Sequence, residues 1–279
     1  MQNFLLGVVL GIVQGIAEWL PVSSKTQVIV ASTYLFGLDL PQAYALGLFL
    51  LGATFVAATI YFRREVVRVL KALIGRGDEE GRLLLKFLVI VTAITAVLGG
   101  VIYYFVVRSL TGVALGLPMI LVGCVLILDG LLIRFAKGRF VPTKGLRELS
   151  VVQIALIGVV QGLAAFPGVS RSGSTVSVML LMGVRPQEAF RLSFLALIPA
   201  SAGAAAATFA LSRGTIGAAI DVISPAVVAL AMVVTVVVGL VSIRALLKVA
   251  GGRRISLLTI SLGALAIAGG LANLYFGAA

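Results

Sequence analysis

The chain has no histidine and one cysteine, and only 10 of its 279 residues are acidic. The absence of histidine excludes histidine-ligated zinc sites, Ser-His-Asp triads and histidine proton relays. The single cysteine, Cys124, can form neither an internal disulfide nor a cysteine metal site. These absences exclude several function classes before any motif is considered.

The residues that are abundant point to a lipid environment. Hydrophobic residues make up 61% of the chain and charged residues 11%, with 32 glycines, which predicts an all-α polytopic membrane protein forming a single membrane domain over 1–279. By the criterion of about 20 apolar residues per crossing, six segments can span a membrane: 41–62, 83–107, 113–134, 187–210, 222–247 and 255–276.

Two further apolar regions are interrupted by polar turns. Residues 1–20 with 24–36, and 150–166 with 172–182, are each divided into pieces mostly too short to cross about 30 Å of hydrocarbon. We interpret them as re-entrant pairs of half-helices, because a broken backbone is tolerated in a membrane where it lines a polar cavity.

The two interrupting turns resemble each other. QGIAEWLPVSSKT at 14–26 and QGLAAFPGVSRSG at 161–173 lie 147 residues apart, and a Gly…Pro-Gln segment at 37–42 is echoed at 183–187. This indicates an internal duplication, with repeat 1 at about 1–136 and repeat 2 at about 150–277. Each half then has one re-entrant pair and three crossings, and the odd number of crossings predicts an inverted repeat.

Loop charge gives an independent prediction of topology. Segment ends at 63–86, 134–147, 185–191 and 244–254 carry 18 of the 22 lysines and arginines. The positive-inside rule places these loops in the cytoplasm and both termini outside, in a multi-pass protein of the plasma membrane. The net charge of +12 is therefore attributed to loops beside anionic lipid, and no nucleic-acid partner is expected.

The motifs also contain the two basic residues that lie outside the loops, Lys25 and Arg171. A cation at membrane depth indicates a functional site. Ser23 or Ser24 can cap one half-helix, and Ser170 or Ser172 the other, so that two positive helix ends face an anion. Glycines at 168 and 173 let a ligand approach the backbone closely. Two such turns suit a ligand with two adjacent phosphates.

Glu18 has no acidic counterpart, because the matching residue of the second motif is Ala165. Glu18 can accept a proton from Ser24 or water, ligate a divalent cation, or simply pair with Lys25 or Arg171. Ser24 can equally be an ordinary helix cap, and Gln14 and Gln161 can be packing contacts between helices. Asp129, the other acid within a crossing, can pair with Arg134.

The first motif, with Gln14, Glu18 and Leu20-Pro21-Val22-Ser23-Ser24, and the second, Pro167-Gly168-Val169-Ser170-Arg171-Ser172-Gly173, resemble the two signature regions of the bacitracin-resistance type of undecaprenyl-pyrophosphate phosphatase family. The resemblance extends over essentially the whole chain. It implies an integral membrane phosphatase that converts a polyprenyl diphosphate to the monophosphate and recycles the lipid carrier for envelope glycan synthesis. It also implies a divalent metal (Mg or Ca), a site open to the outer face and a homodimer.

By this resemblance Glu18, Ser24 and Arg171 are the catalytic residues, with Glu18 also the metal ligand. The candidate substrate-binding residues are Gln14, Ser23, Lys25, Gln27, Gln161, Gly168, Ser170, Ser172, Gly173 and Ser174. Gln27 is a departure, since the family usually has a histidine there, and glutamine cannot shuttle a proton at neutral pH. An alternative function is a polyprenyl-phosphate or anion transporter, because transporters share inverted repeats and broken helices.

Overall fold

A computed structural model describes residues 2–20, 23–109, 143–166 and 169–249, together with separate positions between 120 and 135 and between 257 and 275. Regular secondary structure in this part of the chain is helical: α1 Gln2–Ala17, α2 Ser24–Phe36, α3 Leu40–Tyr61, α4 Arg63–Leu73, α5 Glu79–Ser109, α6 Val151–Leu163, α7 Arg171–Leu181, α8 Pro186–Leu211, α9 Arg213–Ile223 and α10 Pro225–Val249. A short 3₁₀ turn at Leu146–Glu148 precedes α6.

Four of these helices, α3, α5, α8 and α10, are long and apolar enough to cross a membrane. They confirm an all-α, multi-pass membrane protein and match four of the predicted crossings within a few residues. The remaining two predictions, 113–134 and 255–276, lie largely outside the described residues. Asp129 also lies outside them.

Two helices lie almost entirely outside the predicted crossings. Residues 63–73 form α4, whose charged and apolar residues lie on different faces, and 213–223 form α9 before the last described crossing. Hydropathy misses both because each has only 11 residues, too few to span. Arg191 of α8 joins α4 to α5 on the basic side, with nitrogens 3.7 Å from Glu65 and 3.1 Å from Glu80.

The helix boundaries follow from local chemistry. Asp39 and Gln42 form a reciprocal capping box at the start of α3, and Ser150 and Gln153 do the same for α6. Helix α2 is followed by Gly37, which has a positive φ of 69°, a conformation that favours glycine.

Glycines bring the two short apolar helices against long ones. A Cβ on Gly11 of α1 would lie 2.6 Å from the Ala231 carbonyl of α10, and a Cβ on Gly158 of α6 would lie 3.0 Å from Ile94 Cβ of α5. Close packing of this kind is typical of small residues between membrane helices. Because α1 contacts α10 and α6 contacts α5, each short helix packs on a crossing from the other half of the chain.

Candidate active site

Two helix N-termini meet at one carboxylate. Ser24 is the first residue of α2 and Arg171 is the first residue of α7, 147 positions later. Both side chains contact Glu18, which lies in the turn after α1. The turn is anchored by Trp19, which is fully buried, with its ring edge-on to Phe194 at 5.1 Å between centroids.

Glu18 is surrounded by donors. Its Oε1 accepts from Nη2 of Arg171 at 3.1 Å, and the side chains of the pair are only 5% and 9% exposed. Its Oε2 accepts from the Ser24 hydroxyl and, at 3.1 Å, from the amide of Gln14. A buried carboxylate needs such partners, because burying an unpaired charge is costly.

The guanidinium of Arg171 is held on two sides. Its Nη1 donates to the Ser193 carbonyl at 2.9 Å and to the Ser193 hydroxyl at 3.2 Å. The Thr175 hydroxyl lies 2.7 Å from the Ser193 hydroxyl, which fixes that acceptor. Nε of Arg171 is buried and has no hydrogen-bond partner within the described structure. The Nε–H of this cation therefore makes no hydrogen bond to the described part of the protein.

The two motifs are capped differently. Ser170 caps α7 as predicted, since its hydroxyl accepts from the Gly173 amide at 3.2 Å. The prediction that Ser23 or Ser24 caps α2 is wrong. Ser23 precedes α2 with left-handed backbone dihedrals, φ 52° and ψ 83°, and no side-chain cap hydrogen bond is formed. A capping residue needs an extended backbone to reach the first free amides. The Ser23 hydroxyl instead pairs with that of Thr26 at 3.0 Å.

A cavity of about 720 Å³ extends from this cluster between α5 and α8. Its polar end is formed by Glu18, Ser24 and Arg171, and most of the remaining lining is apolar or small. The far end reaches Arg108 and Ser212, where Arg108 is exposed. The shape suits an amphipathic ligand with an anionic head and an apolar body.

The structure brings most predicted site residues to this cavity. Its lining includes Glu18, Ser23, Ser24, Lys25, Gln161, Ser170, Arg171 and Ser172. It does not include Gln27, Gly173 or Ser174, and Gln14 lies fully buried behind Glu18. Gly168 is outside the described residues.

Two functional neighbours were missed by sequence reasoning. Ser193 holds Arg171, and Tyr44 lines the cavity and donates to the Ala165 carbonyl at 2.9 Å. Both are uncharged residues within apolar crossings and outside the motifs. Nothing in the sequence distinguishes them from packing residues.

Few side chains around the cavity carry oxygen atoms that could bind a divalent metal. Glu18 is the only carboxylate among the described lining residues, and the described chain has no cluster of three acidic, histidine or cysteine side chains. However, Oε1 of Gln14 and Oε1 of Gln161 are buried acceptors without a partner. Carboxylate and amide oxygens are suitable ligands for Mg²⁺ or Ca²⁺, which commonly takes its other ligands from substrate phosphates and water. Of these residues Glu18 and Gln161 line the cavity, so its described lining offers a carboxylate and an amide oxygen of the types that such a metal binds.

Together, the crossings and the buried charged cluster define a multi-pass membrane protein with a buried arginine–glutamate pair at the end of a largely apolar cavity. Residues 7–268 match the family model of the bacitracin resistance protein BacA. The chain belongs to this family.

Relatives are similar over nearly their full length. The undecaprenyl-diphosphatase of Saccharolobus solfataricus is 47% identical over 272 residues, covering 97% of both chains. That of Sulfurisphaera tokodaii is 41% identical, covering 95% of this chain and 97% of the relative. That of Pyrobaculum aerophilum is 40% identical, covering 96% and 97%.

Proposed function

We propose that this protein is an integral membrane phosphatase that hydrolyses a polyprenyl diphosphate of the undecaprenyl type to the monophosphate and inorganic phosphate. This reaction recycles the lipid carrier for envelope glycan synthesis. Family membership and the full-length similarity to undecaprenyl-diphosphatases support it. The alternative of a transporter is not favoured by these relatives.

The observation that carries the proposal is the contact of Ser24 and Arg171 with the same carboxylate. A hydroxyl that donates to a buried carboxylate has a proton acceptor in place. A guanidinium fixed beside it can hold phosphate oxygens. Nucleophile, base and phosphate ligand are thus within one cluster of hydrogen bonds.

In the proposed reaction the diphosphate binds at Arg171, Ser170 and the N-terminal ends of α2 and α7. Nε of Arg171 donates to a phosphate oxygen, and the positive helix ends stabilise the anion. The Ser24 oxygen, or a water in its place, attacks the terminal phosphorus in line. Glu18 accepts the proton, the anhydride P–O bond breaks, and the polyprenyl monophosphate leaves. Attack by water releases inorganic phosphate directly; attack by Ser24 forms a phosphoserine, whose P–O bond a water then breaks to release inorganic phosphate and restore the serine hydroxyl. Positioning and charge stabilisation supply most of the rate, as is general for phosphoryl transfer.

A divalent metal, Mg²⁺ or Ca²⁺, is part of the proposal. Glu18 would hold it, with the amide oxygens of Gln14 and Gln161 as further candidates. When bound, the metal would offset the negative charge of the phosphate oxygens. The chain's own residues supply the attacking oxygen from Ser24, the proton acceptor Glu18 and the phosphate-binding Arg171.

The proposal extends to topology. The pairs α1–α2 and α6–α7 are re-entrant, and the two halves of the chain form an inverted repeat with both termini outside. Gly37 and Gly183, which both have positive φ, and the matching helix starts at Ser24 and Arg171 support the repeat. The cavity reaches Arg108 at the C-terminal end of α5, and the basic loop precedes the N-terminal end of that helix. The site would therefore open to the outer face.

The proposal also includes a homodimer, which is tested by the mass of the purified protein in detergent.

The decisive experiment is phosphate release by the purified protein from a polyprenyl diphosphate, with Mg²⁺ or Ca²⁺ and with chelator. We expect one phosphate per substrate, with loss of turnover in Arg171→Ala. Labelled polyprenyl monophosphate in proteoliposomes serves as the transport control. If the label crosses the bilayer and no phosphate is released from the diphosphate, the phosphatase hypothesis is rejected and the transporter hypothesis is favoured.

A further inference from the structure

Lys25 lines the cavity, yet its ammonium is bound by the protein itself. Lys25 is 8% exposed, and its Nζ donates to the carbonyl of Ala164, the residue directly after α6. Tyr44 of α3 donates to the next carbonyl, that of Ala165, at 2.9 Å. Two side chains from the first half of the sequence thus hold the C-terminal end of α6.

This partner is electrostatically suitable. The last carbonyls of a helix have no partner within the helix and form the negative end of its dipole. A lysine near such an end is stabilised by the dipole and by the hydrogen bond. The Lys25 ammonium therefore has a backbone partner in the other motif, whereas Nε of Arg171 has no partner within the described structure.

The second motif makes the reciprocal contact. Ser172 is the second residue of α7, as Lys25 is of α2, and its hydroxyl donates to the Leu20 carbonyl in the turn after α1 at 2.8 Å. Each motif therefore binds a backbone carbonyl of the other. The residues just before them, Ser24 and Arg171, are the two that meet on Glu18.

We propose that Lys25 is a positioning residue that ties the start of α2 to the end of α6 and so aligns Ser24 with Arg171, and that it does not bind the phosphate. This inference rests on the proposed function for its kinetic test. Loss of a phosphate ligand weakens binding of the headgroup. Loss of an aligning contact lowers kcat with little change in KM, since a displacement of about 1 Å can cost about 10²-fold in rate.

The test compares Lys25→Met, which removes charge and donor, with Lys25→Gln, which removes the charge but keeps an N–H donor. We expect kcat to fall about 10- to 100-fold in Lys25→Met, with KM and the inhibition constant of inorganic pyrophosphate within about twofold of the parent. Lys25→Gln should recover a clear part of the lost kcat, because its amide can donate to the Ala164 carbonyl. A tenfold rise in the pyrophosphate inhibition constant, with Lys25→Gln no better than Lys25→Met, would overturn the inference.

Thermal unfolding in detergent provides a readout that does not need catalysis. Lys25→Met should unfold at a lower temperature than Lys25→Gln. Adding Tyr44→Phe should lower the midpoint temperature of unfolding more in the Lys25→Gln protein than in the Lys25→Met protein, because residue 25 and Tyr44 both donate to the same end of α6. Equal midpoints for the two Lys25 variants would also overturn the inference. If the parent released no phosphate while these differences in unfolding persisted, the proposed function would fail and the contact between the motifs would stand.

Discussion

The turn that joins α1 to α2 and the turn that joins α6 to α7 share a backbone plan and differ in chemistry. In both, a short apolar helix packs through glycine, a turn follows, and a second helix begins at positions 147 residues apart. The first turn supplies the acid Glu18 and the hydroxyl of Ser24. The second supplies Arg171 and a capped helix end at Ser170.

The comparison shows how two similar turns can form one asymmetric site. Ser24 and Arg171 occupy matching positions, and both bind Glu18, whose own counterpart is Ala165. A second carboxylate at Ala165 would add negative charge where an anionic headgroup is proposed to bind. In the proposed mechanism, the first turn supplies the nucleophile and the base, and the second turn supplies the phosphate-binding cation.

The largest effect is expected from removing the cation of the second turn. Arg171→Ala should lower kcat/KM by about 10³-fold, the upper range for loss of one donor that stabilises a developing charge. Arg171→Lys should recover little, because lysine cannot hold Glu18, Ser193 and phosphate together. Initial rates of phosphate release measure both. Arg213→Ala, an exposed cation outside the cavity, is the control. Activity of Arg171→Lys near that of the parent would show that the mechanism does not need the bidentate geometry of the guanidinium.

The acid of the first turn should matter for chemistry more than for binding. Glu18→Gln is expected to lower kcat by about 10²-fold, as is typical when general base assistance is lost. Pyrophosphate inhibition should be retained, since the amide leaves Arg171 able to bind an anion. Single-turnover rates measure the chemical step, with the exposed surface variant Glu79→Gln as the control. Unchanged turnover would contradict the assignment of Glu18 as proton acceptor.

Much of this division could be predicted from the sequence. Long apolar runs predicted six crossings, of which four correspond to described helices. The repeated turn motif predicted that Glu18, Ser24 and Arg171 come together, because the positions of glycine, proline and charge are visible in the sequence. The contacts that Arg171 and Lys25 make outside this cluster could not be predicted. Ser193 is a neutral residue in an apolar crossing, and the partner of Lys25 is a backbone carbonyl, which any residue carries.

A smaller effect should distinguish the two helix starts. Ser170→Ala removes a cap and should lower the free energy of unfolding by about 1 kcal/mol, which corresponds to a shift in midpoint of about 2–4 °C. Ser23→Ala should cost less, because Ser23 makes no cap and loses only its contact with Thr26. Differential scanning calorimetry in detergent measures the midpoint temperatures of unfolding of the two variants. Equal losses would show that the two turns are capped alike in solution.

The smallest effect is expected at Gln27, where the family usually has histidine. Alignment of the motifs assigned Gln27 to the substrate, but Gln27 is half-buried and does not line the cavity, whereas Ser24, one turn earlier in α2, does. A histidine with a reference pKa of ~6.5 would add a limb to the pH–rate profile only if it touched the reacting phosphate or Glu18. We therefore expect Gln27→His to leave the shape of the kcat profile between pH 5 and 9 unchanged, with a change in rate of less than about threefold. The measurement is phosphate release across that range, with Gln27→Asn as the matched variant that adds no titrating group. A new limb near pH 6.5 in Gln27→His alone would show that α2 turns residue 27 into the site during turnover, and would assign the first turn a second acid–base position that the second turn lacks.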